Sequence, residues 1–201
     1  MFIFDHKKFL DGYRGRFGPI TQDLVDALEF LLSRIEQDEQ FTGTDTDRRQ
    51  LAYCLATFKW ETAHTFRPID EHGSPDYFNS LYGPGTKAGE MLGNTEEDDG
   101  ARFHGRGYVQ LTGRTNYTKA KTLTGVDLLT EPDRATDLDL AYRVAIQGMK
   151  EGWFTGKRLG QFISDGQCDY ENARTIINGH DKAQTIADIA RRFSEVLLLA
   201  V

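Results

Sequence analysis

The strongest constraint on what this chain folds into is a stretch without helical period, Arg67 to Gly107, set between segments that have one. Eight glycines and three prolines punctuate it. At about 40 residues it is too long for a passive connection, and it reads as functional loops or a small sheet. On its N-terminal side, Thr21 is placed to cap a helix running to about Gln37, with Leu24, Leu28, Leu31, Leu32 and Ile35 on one face. A second helix is expected after the cap candidates Asp45, Thr46 and Asp47, through Leu51, Leu55 and Phe58 to about Thr62. Its other face carries Tyr53, Ala56 and Trp60, and a helix apolar on most sides belongs in the middle of a domain.

Beyond the aperiodic stretch, Tyr108 to Thr112 reads as a short strand ended by Gly113. Helices are expected at Asn116 to Leu123, with Gly125 as the terminating residue, and at Leu138 to Glu151, where Tyr142, Ala145 and Met149 share a face. Asp181 and Gln184 have capping-box spacing and would open a C-terminal helix carrying Ile186, Ile189, Ala190, Phe193, Val196 and Leu197. The residues therefore specify a mainly α domain with one long irregular or small-β insert, and 201 residues fit a single domain, 1–201.

Charge narrows the function. Twenty-four basic against 31 acidic side chains give a net charge of -7 with no basic block, which argues against nucleic-acid binding. A membrane span is excluded because the longest apolar run, Val196 to Val201, is far short of the roughly 20 residues required. The N-terminus places its charges after a very short apolar stretch, the reverse of a secretory signal, so folding in a cytoplasm is expected. Cys54 and Cys168 lack metal or redox spacing and read as ordinary thiols.

Glu61 ends the central helix within about 60° of Phe58 and Cys54, on an apolar sector. Burial disfavours a charged carboxylate and suits a glutamate to general-acid work; the bland alternative is a buried Glu bound to a backbone amide or to an arginine such as Arg106. Ten residues on, Asp70, Glu71 and His72 lie in a loop, where a carboxylate stays ionised and can activate water. Two carboxylates in unlike environments suit glycoside hydrolysis; a solvated loop is the alternative for Asp70 and Glu71. Glu61 and His64 have the spacing of a di-iron ligand pair without the second copy it requires, and His64, His72 and His104 have no zinc spacing. The acidic run Glu96 to Asp99 lacks EF-hand alternation, no nucleophile elbow is present, and Gly105-Arg106-Gly107 lacks the third glycine of a dinucleotide fingerprint.

The segment Phe103 to Tyr117, with Gly105-Arg106-Gly107-Tyr108-Val109-Gln110-Leu111-Thr112 and then Asn116-Tyr117, resembles the signature of glycoside hydrolase family 19. Glu61-Thr62, Pro132-Asp133 and Ile176-Ile177-Asn178-Gly179 agree with it, so the resemblance covers roughly residues 45 to 200. It is most similar to phage and prophage endolysins of this family. The resemblance implies a lysozyme-like helical fold with two lobes around a cleft, and places the general acid on Glu61. It also implies a base, for which Glu71 is the choice and Asp70 the understudy, and a water-orienting hydroxyl on Thr112. Gln110, Asn116 and Asn178 match sugar- or water-binding positions; Tyr108 would stack on a pyranose or fill the core, and Arg106 is a further candidate contact. Trp60 stands where family members commonly carry His. In an inverting hydrolase the two carboxylates would stand about 6.5–9.5 Å apart.

The expectation is thus an endolysin cleaving the β-1,4 bond of peptidoglycan without metal or organic cofactor. It would be a monomer with no separate wall-binding module and no membrane insertion, reaching the wall from the host cytoplasm after a partner permeabilises the membrane. The alternatives are a chitinase, a lytic transglycosylase, a non-catalytic glycan-binding protein and a bacterial antagonism effector.

Overall fold

The computed structural model describes all 201 residues. In chain order the helices are α1 (His6–Phe17), α2 (Gln22–Glu36), α3 (Asp45–Glu61), α4 (Pro75–Tyr82), α5 (Lys87–Leu92), α6 (Asp99–Arg102), α7 (Arg114–Thr124), α8 (Leu138–Glu151) and α9 (Ala183–Ala200). Four two-residue strands, β1 (Ile69–Asp70), β2 (Arg106–Gly107), β3 (Ile163–Ser164) and β4 (Gln167–Cys168), form two antiparallel pairs, β1 with β2 and β3 with β4. The chain divides into two compact units: residues 1–66 with 149–201, and residues 67–148. No helix is long and apolar enough to cross a membrane.

In the first unit α3 is the central element. Leu51 through Phe58 are buried without a break, and α9 packs along both α3 and α1. Each large apolar side chain so buried contributes about 1.5–3 kcal/mol relative to exposure. Thr21 caps α2, its Oγ1 accepting from the Leu24 amide at 3.3 Å. For α3 the cap is Thr44, one residue before the expected candidates: Thr44 Oγ1 accepts from the Asp47 amide and Asp47 Oδ2 accepts from the Thr44 amide. α9 departs from expectation at its start. Lys182, in the left-handed region, precedes it without a side-chain cap, and the Asp181 carbonyl instead accepts from Arg174 Nε at 3.0 Å. Helix α1 has too few apolar repeats to stand out in sequence; Phe9 and Tyr13 bury its inner face. Both cysteines are free thiols, Cys54 buried and Cys168 exposed.

In the second unit, the stretch read as free of helices contains three, α4, α5 and α6, besides the small sheet. They are four to eight residues long, too short to display a 3.6-residue period, and are set by local chemistry instead. Ser74, Thr86 and the left-handed Gly93 bound α4 and α5. The strand expected over Tyr108 to Thr112 is a tight turn. Arg106 and Leu111 exchange backbone hydrogen bonds of 3.1 and 2.7 Å, and the chain reverses through positive φ at Gly107 (92°) and Gln110 (58°), which a strand does not allow. α7 begins at Arg114, two residues earlier than read, and ends at Gly125 in the left-handed region as expected.

Asp99 anchors this unit. Its carboxylate is 1% exposed, accepts from Arg114 Nε at 2.7 Å and Nη2 at 2.5 Å, and from the amides of Thr95 and Glu96. Burial alone pushes its pKa up; the arginine fork and the two amides outweigh that and hold the carboxyl below the usual range. A lowered folded-state value stabilises the fold above the unfolded value of about 3.9 and stops doing so as pH falls through the folded value. Unfolding free energy measured by urea titration should therefore fall steeply below about pH 4, and Asp99→Asn should flatten that slope.

Candidate functional site

In the first unit, Glu61 closes α3 with its side chain 18% exposed, half-hidden as its helical position predicts. Its partner is Arg174, whose Nη1 donates to Glu61 Oε1 at 2.5 Å. The Arg174 side chain is only 4% exposed and sits on the 3-10 turn Asn172–Ile176, where Nε donates to the Asp181 carbonyl. Glu61 Oε2 is the oxygen Arg174 does not engage. Asn178 follows on the same turn: its amide donates to the Arg174 carbonyl at 3.1 Å, its Oδ1 accepts from the Gly179 amide, and its side chain is exposed. Glu61 and Arg174 thus form a pair, with the Asn178 backbone next to it on the chain. The sequence reading missed Arg174, although an arginine beside Ile176 and Ile177 is itself a sign of a buried cation seeking a carboxylate.

The Glu61 turn is built with strain. Thr62 Oγ1 donates to the Phe58 carbonyl at 2.7 Å and accepts from the Phe66 amide at 2.9 Å. Between them Ala63, His64 and Phe66 take positive φ of 49°, 70° and 53°. Each such residue costs of order 1–2 kcal/mol. Buried Phe66, edge-on to Phe193 at 6.0 Å, helps to hold the turn.

In the second unit, Glu71 is partly buried beside the β1–β2 pair. Its Oε2 accepts from the Gly105 amide at 3.0 Å and its Oε1 from the Tyr82 hydroxyl at 3.2 Å, which fixes the carboxylate plane while each oxygen keeps a lone pair for water. Burial, then the Glu71 charge, pushes the Tyr82 phenol up to about 12, so it remains a donor at neutral pH. A Cβ at Gly105 would stand 2.6 Å from Gln110 Oε1 and 3.0 Å from Glu71 Oε2, so any larger residue here displaces the Gln110 and Glu71 side-chain ends. Asp70 is held differently, accepting from His104 Nε2 at 2.6 Å and lying 3.2 Å from Arg106 Nε. His104 stacks on Phe78 at 4.2 Å, so Asp70, although 53% exposed, is tied into a structural network, whereas Glu71 is held by one backbone amide and one phenol.

The signature turn distributes the remaining candidates. Gln110 Oε1 and Glu71 Oε2 both line Gly105, and Gln110 Nε2 is buried without a hydrogen bond. Thr112 Oγ1 donates to the Gln110 carbonyl at 2.8 Å, so toward water it acts as an acceptor and not as the donor to a carboxylate. Asn116 is 8% exposed and its Nδ2 donates to the Thr112 carbonyl at 3.1 Å. Two candidates move out of the ligand-binding set. Tyr108 is 1% exposed and fills the core, with no ring face open to a sugar. Arg106 is 4% exposed and its guanidinium serves internal partners: Nη1 donates to the Arg102 carbonyl and Tyr117 Oη, Nη2 to Asp133 at 2.8 Å. It ties the turn to Asp70, Asp133 and α7, and the arginine that meets Glu61, as in the bland alternative, is Arg174 and not Arg106.

The fold is shared with solved chitinases. Chitinase C from Streptomyces griseus superposes over 96% of this chain and 91% of its own with a TM-score of 0.60 at 21% identity. A bacterial family 19 chitinase matches 98% of this chain and 95% of its own with a TM-score of 0.65 at 20% identity. The sequence model of class I chitinases, glycoside hydrolase family 19, matches residues 40–157, and the chain belongs to that family. Among plant relatives, acidic endochitinase Q of Nicotiana tabacum is 44% identical over 106 residues, 52% of this chain and 36% of that protein. The acidic 27 kDa endochitinase of Solanum lycopersicum is 36% identical over 107 residues, 52% of this chain and 38% of that protein. The chain therefore matches little more than a third of the length of these two relatives.

Proposed function

We propose that the protein hydrolyses the β-1,4 bond between N-acetylhexosamine units, with Glu61 as proton donor and Glu71 as the base that activates water. The observation that carries this reading is the contrast between the two carboxylates. Glu61 is half-hidden at a helix end with one oxygen on Arg174 and Oε2 left to carry a transferable proton. Glu71 is fixed through both oxygens by a backbone amide and a phenol, which orients its carboxylate. Gln110 and Thr112 lie at the signature turn, where Thr112 would contribute an acceptor to sugar or water.

Peptidoglycan glycan strands are the proposed substrate, and host lysis as an endolysin the proposed role; residues 103–117 carry the family signature, which suits an N-acetylhexosamine polymer of either kind. In this reading the protein works as a monomer, reaches the wall after a partner permeabilises the membrane, and needs no cofactor. Chitin is the second reading, favoured by the family model and by the names of the plant and bacterial relatives. The two are separated by incubating purified protein with isolated Gram-negative peptidoglycan and with chitin. Muropeptide release supports the endolysin reading, and chito-oligosaccharide release without muropeptides replaces it with a chitinase.

The base assignment has its own consequence. Glu71→Gln can keep the Gly105 amide on its carbonyl oxygen and donate its NH2 to the Tyr82 oxygen while removing the base, and should lower hydrolysis about 100-fold or more. An unchanged rate in this variant would show that the reaction needs no carboxylate at position 71.

A further inference from the structure

Lys59 is a half-buried cation that the proposed hydrolysis does not use. It lies on α3 two residues before Glu61, about 200° around the helix, and so serves a different surface from the Glu61–Arg174 pair. There it borders a cavity of about 390 Å³ lined by Tyr13, Phe17, Pro19, Leu24, Lys59 and His64, all within the first unit. That volume is large enough for a small organic molecule.

The chemistry of this cavity is unusual for a lysine. No carboxylate pairs with the amine; its neighbours are the Tyr13 hydroxyl at 2.7 Å and the rings of Tyr13, Phe17 and Phe66, whose centroids lie 5.0 to 5.7 Å away. Ring faces stabilise an ammonium by about 0.5–2 kcal/mol, less than the hydration that burial removes. Burial accordingly pulls the Lys59 amine down to about 8. Lys7, exposed and bonded to Asp11, is shifted the other way. Burial, and then the Lys59 charge, also lowers the pKa of His64. The rim of the cavity includes the strained turn, His64 itself having a φ of 70°. Strain retained beside a cavity is a feature of ligand sites.

We propose that this cavity is a covalent capture site for small apolar aldehydes, with Lys59 as the amine that condenses with the carbonyl. A desolvated lysine in an apolar pocket is the ordinary way an amine is made nucleophilic near neutral pH. The neutral Nζ forms a bond to the carbonyl carbon, giving a carbinolamine after its proton passes to the oxygen. Loss of that hydroxyl as water leaves the imine, so amine and aldehyde give imine and water with no redox change. The Tyr13 phenol, which burial keeps protonated, stands 2.7 Å from Nζ to donate to the departing hydroxyl and recover the proton from nitrogen. The aromatic and aliphatic part of the lining, Tyr13, Phe17, Pro19 and Leu24, offers a surface for a small aromatic body such as a phenyl ring beside Lys59 and His64.

The test treats the intact protein with benzaldehyde and cyanoborohydride at pH 7.5 and maps benzylated lysines by mass spectrometry. A free-amine fraction set by a value near 8 predicts labelling of Lys59 at least about tenfold faster than Lys7 or Lys8, and loss of that preference in the urea-unfolded chain. Labelling of Lys59 no faster than Lys7 and Lys8, or a Lys59 preference that persists in the unfolded chain, would overturn the proposal.

Discussion

Glu61→Gln should lower the rate of glycan cleavage by about 100- to 10,000-fold in protein that circular dichroism shows still folded at the assay temperature, although losing the charge opposite buried Arg174 lowers the melting transition. The variant removes the proton and keeps the shape: glutamine Oε1 still accepts from Arg174 Nη1, and Arg174 retains the Asp181 carbonyl. A loss of that size without unfolding is the signature of a group acting in the transition state and not in the fold. A loss of less than about tenfold would reduce Glu61 to the counter-ion of a buried arginine.

The second large effect lies in the other unit and concerns stability. Arg114→Ala should cost about 3–5 kcal/mol, because it strands the buried Asp99 carboxylate with only the Thr95 and Glu96 amides. The guanidinium also covers the Phe103 ring at 5.1 Å, so packing is lost with the charge. Against the 5–15 kcal/mol typical of a domain, this is enough to lower the urea midpoint sharply. A cost below about 1 kcal/mol would show that the fork onto Asp99 is solvated after all.

What the sequence disclosed and what it hid follow from the reach of periodicity. α2, α3 and α8 were legible because each repeats its apolar positions over three or more turns, and the partial burial of Glu61 followed from its angle on α3. α4, α5 and α6 were not, because helices of four to eight residues are decided by caps and packing, not by period. The turn at Tyr108 to Thr112 mimicked a strand because its β-favouring residues gave no hint that Gln110 takes positive φ. A motif also names positions without saying which way they face. Arg106 and Tyr108 stand in the signature beside Gln110, yet the first two are buried structural residues and the third lines Gly105 as Glu71 does. Arg174 lies 113 residues from Glu61, and no local pattern could join them.

The most direct test of the mechanism is the chemical nature of the ends that the protein creates. Peptidoglycan and chitin digested by the wild type and by Glu61→Gln would be compared by mass spectrometry. Glu61 donating a proton while Glu71 activates water predicts fragments with new reducing ends from the wild type and almost none from the variant. Anhydro ends, or equal release by both proteins, would contradict it.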